Sequence, residues 1–169
     1  MILVTRTIEV PYPVRAVSSV LRDPIDALGC NPHVKYFAQA SQSGPHLRSR
    51  YDAVERVGGL KLALEYRILH HEPGRVAVLL GRNRLIDQTD VIVLRQLADD
   101  RTRITRQVQF RPRGPMIFGQ RWLRDGMEDF VEDSARALAR LVERQVRSMP
   151  TVERPAPATT AVSRAILRR

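Results

Sequence analysis

A few side chains interrupt otherwise apolar strand patterns, and their types define the chemistry this chain can offer. Tyr51 and Tyr66 fall on the apolar side of alternating stretches, where each can present a hydroxyl to an apolar ligand. Such a hydroxyl can orient an enolate or assist proton transfer; the plainer reading is a core aromatic satisfied at a rim. Arg6 and Arg106 each break an apolar face. An unpaired guanidinium there is expensive, so each requires a carboxylate partner, a route to solvent or an acidic ligand group. Asp90 is the first carboxylate to consider, either beside a ligand or as the partner of Arg106 in an internal ion pair. His33 follows an early helical stretch and is placed at the entrance of a cavity. His70 and His71 are adjacent and point to opposite sides of a strand, and no histidine shows metal-ligand spacing, so neither a metal nor another cofactor is expected. The single cysteine, Cys30, forms no internal disulfide and reads as a small hydrophobe before a nucleophile.

These groups must be positioned by strands and one long helix. Ile2, Val4, Ile8 and Val10 alternate as a strand, Pro11 and Pro13 end it, and Val14 to Leu21 has the spacing of a short helix. Ile25 to Cys30 suggests another helical turn, closed by Asn31-Pro32 before a short strand from Val34 to Ala40. Further strands are read at Leu47 to Val57, with Leu47, Tyr51, Ala53 and Val57 on one side, at Leu60 to Ile68, Arg75 to Leu80, Leu85 to Leu94, and Thr102 to Phe110. If Ile92 lies opposite Arg106 and Asp90 opposite Val108, Asp90 and Arg106 become diagonal neighbours. A long amphipathic helix then runs from about Pro115 to Arg147. Its stripe is Leu123, Met127, Phe130, Val131, Ser134, Leu138, Leu141, Val142 and Gln145, extended near the start by Phe118 and Trp122. A helix after many antiparallel strands buries its stripe on the concave face of the sheet, which tends to leave a cavity between them. Phe118, Trp122, Met127 and Phe130 would wall that cavity, or simply pack the helix down.

The 169 residues fit one domain with a real core, and neither a signal peptide nor a membrane span is read, so a cytoplasmic location is the expectation. The net charge of +10 is arginine-dominated and spread along the chain. It favours anionic partners in general. No nucleic-acid motif accompanies it: there is no zinc spacing, no glycine-rich phosphate loop and no aromatic-studded basic strand pair. Residues 149–169 read as a flexible Pro/Ala/Thr-containing tail carrying four arginines after residue 150, a candidate contact for an anionic membrane surface or a protein partner.

The order of these elements resembles the START-like (SRPBCC) superfamily, in its polyketide cyclase/dehydrase-like branch. The resemblance is carried by Ile8-Glu9-Val10-Pro11 with Pro13 and Val14-Arg15-Ala16-Val17, by Asp23-Pro24 and Asn31-Pro32, and by Gly114-Pro115-Met116-Ile117-Phe118-Gly119 before the last helix. It implies an α+β helix-grip fold over residues 1–148: a seven-stranded curved antiparallel sheet around the long C-terminal helix, with two small helices after strand one. It also implies that the first and last strands are neighbours, bringing Arg6 near Arg106, and that a hydrophobic cavity lies between sheet and helix. Membership does not supply one catalytic constellation.

Three functions compete. Binding or transport of a lipid-like or polyketide-like hydrophobic molecule is the leading one, with Arg6, Tyr51, Tyr66, Asp90, Arg106, Phe118, Trp122, Met127 and Phe130 as contacts. A polyketide cyclase or dehydratase is the second, and its catalytic residues are left open. A salt-sensitive protein, ribosome or membrane module working through the tail is the third, and homodimerisation is compatible with all of them.

Overall fold

The computed structural model describes residues 1–39 and 50–149. The 149–169 tail beyond Met149, and the Leu47 end of the third strand, lie outside the described residues. The chain runs β1 (Ile2–Val10), α1 (Val14–Val20), α2 (Asp26–Gly29), β2 (Val34–Gln39), β3 (Arg50–Val57), β4 (Leu60–Glu72), β5 (Val76–Arg82), β6 (Ile86–Ala98), β7 (Arg101–Pro112), a 3-10 turn (Gly114–Gly119) and α3 (Gln120–Ser148). All neighbouring strands are antiparallel in the order β1-β7-β6-β5-β4-β3-β2, so β1 and β2 are the two edges. This is the α+β helix-grip architecture: a curled seven-stranded sheet holding one long helix.

Period-2 alternation fixes which face is buried. On β6 the inward series is Ile86, Gln88, Asp90 and Ile92; on β7 it is Thr102, Ile104, Arg106, Val108 and Phe110. The β6–β7 ladder pairs Ile92 with Arg106 and Asp90 with Val108, which makes Asp90 and Arg106 diagonal neighbours. Helix α3 covers this face with Leu123, Met127, Phe130, Val131, Ser134, Leu138, Val142 and Val146, all buried. Burying residues of this size contributes roughly 1.5–3 kcal/mol each before chain entropy is counted, so the stripe anchors the helix.

Two details of α3 differ from the sequence expectation. Its regular turns begin at Gln120, because Gly114–Gly119 winds as a 3-10 turn, and the start of the helix is left outside the grip. Phe118 is 93% exposed and Trp122 53% exposed, so neither extends the buried stripe. At the other end Val146 is buried and Gln145 exposed, the stripe having advanced by one residue as a 3.6-residue period requires. The helix is seated by Gly126. A Cβ there would lie 2.2 Å from the Cα of Gly58, which sits in the β3–β4 turn at φ +54°.

Adjacent carboxylates on α3 reach both edges of the sheet. Glu132 accepts from Arg6 Nε on β1 at 2.6 Å, and Asp133 Oδ2 lies 2.9 Å from Nε2 of His33, just before β2. Arg136 lies 3.0 Å from Glu132 and 3.4 Å from Asp133. Half-exposed pairs of this kind contribute little energy; they tie α3 to both edges of the sheet.

Candidate functional site

At the centre of the concave face five buried polar side chains stand where a core would be apolar: Glu55, Tyr66, Gln88, Asp90 and Arg106. Glu55 belongs to the inward series of β3 with Tyr51, Ala53 and Val57, and Tyr66 to that of β4 with Leu62, Leu64 and Ile68. The Tyr66 ring lies flat over β5 at Gly81, where a Cβ would come within 2.7 Å of two ring atoms. Gly81 therefore makes room for the aromatic ring that carries the hydroxyl.

The hydrogen bonds form two groups. Gln88 Nε2 donates to the Tyr66 hydroxyl at 2.6 Å, and that hydroxyl donates to Glu55 Oε1 at 2.6 Å. Arg106 Nε donates to both Asp90 oxygens at 3.1 Å, and its Nη2 also donates to Asp90 Oδ2. Burial, with the Asp90 charge, drives the Glu55 carboxyl up to about 7, against the Tyr66 hydrogen bond, the Arg106 charge and the Gln88 amide, which favour the anion. Burial, reinforced by the Glu55 charge, holds the Tyr66 hydroxyl well above the ordinary phenol value, so it remains a donor. Burial alone would lower the Arg106 guanidinium; the charge and hydrogen bonds of Asp90 outweigh it and raise it above its ordinary value. The two groups share one electrostatic field, since Glu55 and Tyr66 both feel Asp90 and Arg106.

Three atoms in this cluster are buried without a hydrogen-bond partner: Glu55 Oε2, Gln88 Oε1 and Arg106 Nη1. The Oγ of Ser134 on α3 is in the same condition. Buried polar groups are normally satisfied, and each left bare costs about 1–3 kcal/mol. Protonated at Oε2, Glu55 becomes a donor, because Oε1 already accepts from Tyr66. Glu55 Oε2–H and Arg106 Nη1–H are then donors and Gln88 Oε1 an acceptor; the Gln88 amide also acts on Glu55, so the need for an outside oxygen is clearest at Arg106 Nη1.

The residues singled out in the sequence separate into three places. Tyr66, Asp90 and Arg106 meet in the central cluster, and the Tyr66 hydroxyl is sealed there and not at a rim. Tyr51 is also buried and pairs with Tyr66 across β3–β4, while Met127 and Phe130 are buried in the α3 stripe. Arg6 sits opposite Arg106 on the β1–β7 ladder, but its side chain turns out to Glu132. His33 stands at the α3 margin, its backbone N–H held by Asn31 Oδ1 at 3.0 Å and its ring 5.7 Å from that of Phe130. Phe118 and Trp122 face outward, away from the cluster. Glu55 and Gln88 are the members that the sequence reading passed over. Both occupy the inward period, Glu55 between Ala53 and Val57 and Gln88 between Ile86 and Asp90, and that phase was the available signal. Among the described residues, no three His, Cys, Asp or Glu side chains gather as a metal site, and no helix is long and apolar enough to cross a membrane.

No family model matches the chain, and no curated protein matches it in sequence. Solved structures match it in shape. A Thermus thermophilus protein aligns with a TM-score of 0.69 at 15% identity, covering 85% of this chain and 98% of the other. A START superfamily protein from Mycobacterium smegmatis aligns at 0.65 and 16% identity, covering 85% and 98%. The chain has a START-like fold. The Zhui aromatase/cyclase of a Streptomyces species shares this START-like fold, with a TM-score of 0.65 and 17% identity over 86% and 93% of the two chains. At such identities the START-like frame is shared, and the residues on it must be argued from this chain alone.

Proposed function

We propose that this START-like protein binds a largely apolar small molecule between the concave sheet face and α3, with an oxygen function of the ligand meeting Glu55 and Arg106. The observation that carries the reading is the pair of buried atoms without a hydrogen-bond partner, Glu55 Oε2 and Arg106 Nη1, that face one cluster amid apolar side chains. A few convergent polar groups in an apolar lining is how small-molecule sites fix orientation. Ordered water is the competing partner for those atoms. The START superfamily and aromatase/cyclase names of similarly folded proteins point the same way.

Incubating the full chain with a broad extract of apolar metabolites and recording its noncovalent mass separates the two. Binding by burial predicts a one-to-one adduct that persists at high salt. Absence of any stoichiometric adduct overturns the proposal.

Glu55 favours a second reading, catalysis of a cyclisation or dehydration. A carboxyl near 7, hydrogen-bonded to a neutral tyrosine, is suited to take a proton from carbon beside a carbonyl, while Arg106 steadies charge growing on the oxygen. Under this reading Glu55→Gln keeps binding and loses turnover of a reactive polycarbonyl compound; turnover unchanged in that variant rejects it.

A further inference from the structure

The 3-10 turn and first turn of α3 carry three large apolar side chains in the open: Ile117 at 50%, Phe118 at 93% and Trp122 at 53% exposure. Ordering a phenylalanine side chain almost wholly in water gains nothing for the fold. The sequence here, Gly114-Pro115-Met116-Ile117-Phe118-Gly119, follows the end of β7 and precedes the point on α3 where Gly126 meets Gly58, and none of it is buried.

Arginines stand at the same end of the sheet. Arg121 and Arg124 follow on α3 and, with Met1, Ile2 and Asp125, line an open groove of about 430 Å³ beside the start of β1. Arg113 N donates to Leu85 O at 2.7 Å, which brings the β5–β6 turn, with exposed Arg84 and Leu85, to the same end of the sheet. Asp87 is engaged by Arg82 and Arg113. Arg84, Arg121 and Arg124 have no carboxylate partner among the described residues, and Asp125 is the acidic residue within the groove.

We propose that this tip is a docking site for an anionic lipid surface, into which Phe118 and Trp122 insert while Arg84, Arg121 and Arg124 meet the headgroups. An apolar wedge with a tryptophan at its margin and arginines behind it has the layered chemistry of a bilayer interface. Charge complementarity selects this occupant over a second copy of the chain, because a two-fold contact through the tip would crowd the arginines of both copies together. The proposal concerns a surface distinct from the central cluster and stands whether or not that cluster binds a ligand.

Trp122 is the chain's one tryptophan, so its fluorescence reports the tip directly. The full chain is titrated with vesicles of phosphatidylcholine alone and with vesicles containing phosphatidylserine, following emission and cosedimentation. Docking at the tip predicts that phosphatidylserine vesicles shift Trp122 emission to the blue and carry the protein down. Phe118→Ser should weaken this by about tenfold or more, and R121E/R124E should abolish the preference for phosphatidylserine. Because Phe118, Arg121 and Arg124 are exposed, these variants leave the core intact. Sedimentation without an emission shift would assign binding to the 150–169 extension and overturn the proposal. So would equal binding to neutral vesicles, no binding at all, or a concentration-dependent blue shift without lipid, which marks self-association.

Discussion

A carboxyl group sealed at the centre of a sheet titrates where its surroundings dictate, and this makes Glu55 measurable. In the unfolded chain it loses its proton near 4.5, and in the folded chain near about 7. Between those values the folded state holds the extra proton, so the contribution of Glu55 to stability is largest below 4.5 and declines as pH rises toward 7. Glu55→Gln keeps a neutral group of the same shape. It should flatten that decline and raise stability at pH 8 by about 1–3 kcal/mol, read from denaturant unfolding at a series of pH values. Arg106→Met should do the opposite. It leaves Asp90 buried and uncompensated, a loss of about 3–5 kcal/mol, whereas replacing Asp90 and Arg106 together by apolar residues should recover most of it. The Asp90–Arg106 pair was legible in the sequence as one of two readings, because the two β-runs are long and share a hairpin at Asp99-Asp100; the register assumed there is the one observed. Glu55 was less visible: one acidic residue on the inward side of β3 reads as noise until Tyr66 and Gln88 on other strands are brought against it.

At the scale of elements, strand and helix order followed from alternation and from turn residues. Asn31 and Asp23 each accept the backbone N–H two residues on, at 3.0 Å, closing the turns that the Asn-Pro and Asp-Pro pairs announce. The start of α3 was not legible, since amphipathic spacing continues through Phe118 and Trp122 although the sheet beneath them has ended. What decides the seat of the helix is a backbone contact, Gly126 on Gly58, to which hydrophobic periodicity is blind. That contact reverses a common rule. Glycine inside a helix usually costs about 1 kcal/mol relative to alanine, so Gly126→Ala would stabilise an uncrowded helix. Here the added carbon meets backbone that cannot swing aside, and we expect Gly126→Ala to lower stability by about 1–3 kcal/mol in denaturant unfolding. A similar argument applies to Gly81→Ala, which should push the Tyr66 ring aside and weaken ligand retention even where the fold survives.

The whole molecule presents two chemistries at separate places. A buried polar cluster lies under α3, and an apolar tip with arginines near it lies where α3 begins. They should respond oppositely to salt: retention of a buried apolar ligand persists, while vesicle docking weakens as screening increases. The net charge of +10 favours anionic partners in general and would strengthen the proposed docking. The most direct test of the central claim is the affinity of a retained compound from pH 5 to 9, in the native chain and in Glu55→Gln. If the ligand's oxygen accepts from the protonated Glu55 carboxyl and from Arg106, affinity in the native chain falls as pH rises through about 7, by at most about tenfold per pH unit, and the profile of Glu55→Gln is flat. Affinity independent of pH in both proteins would show that the ligand does not meet Glu55 and would contradict the account.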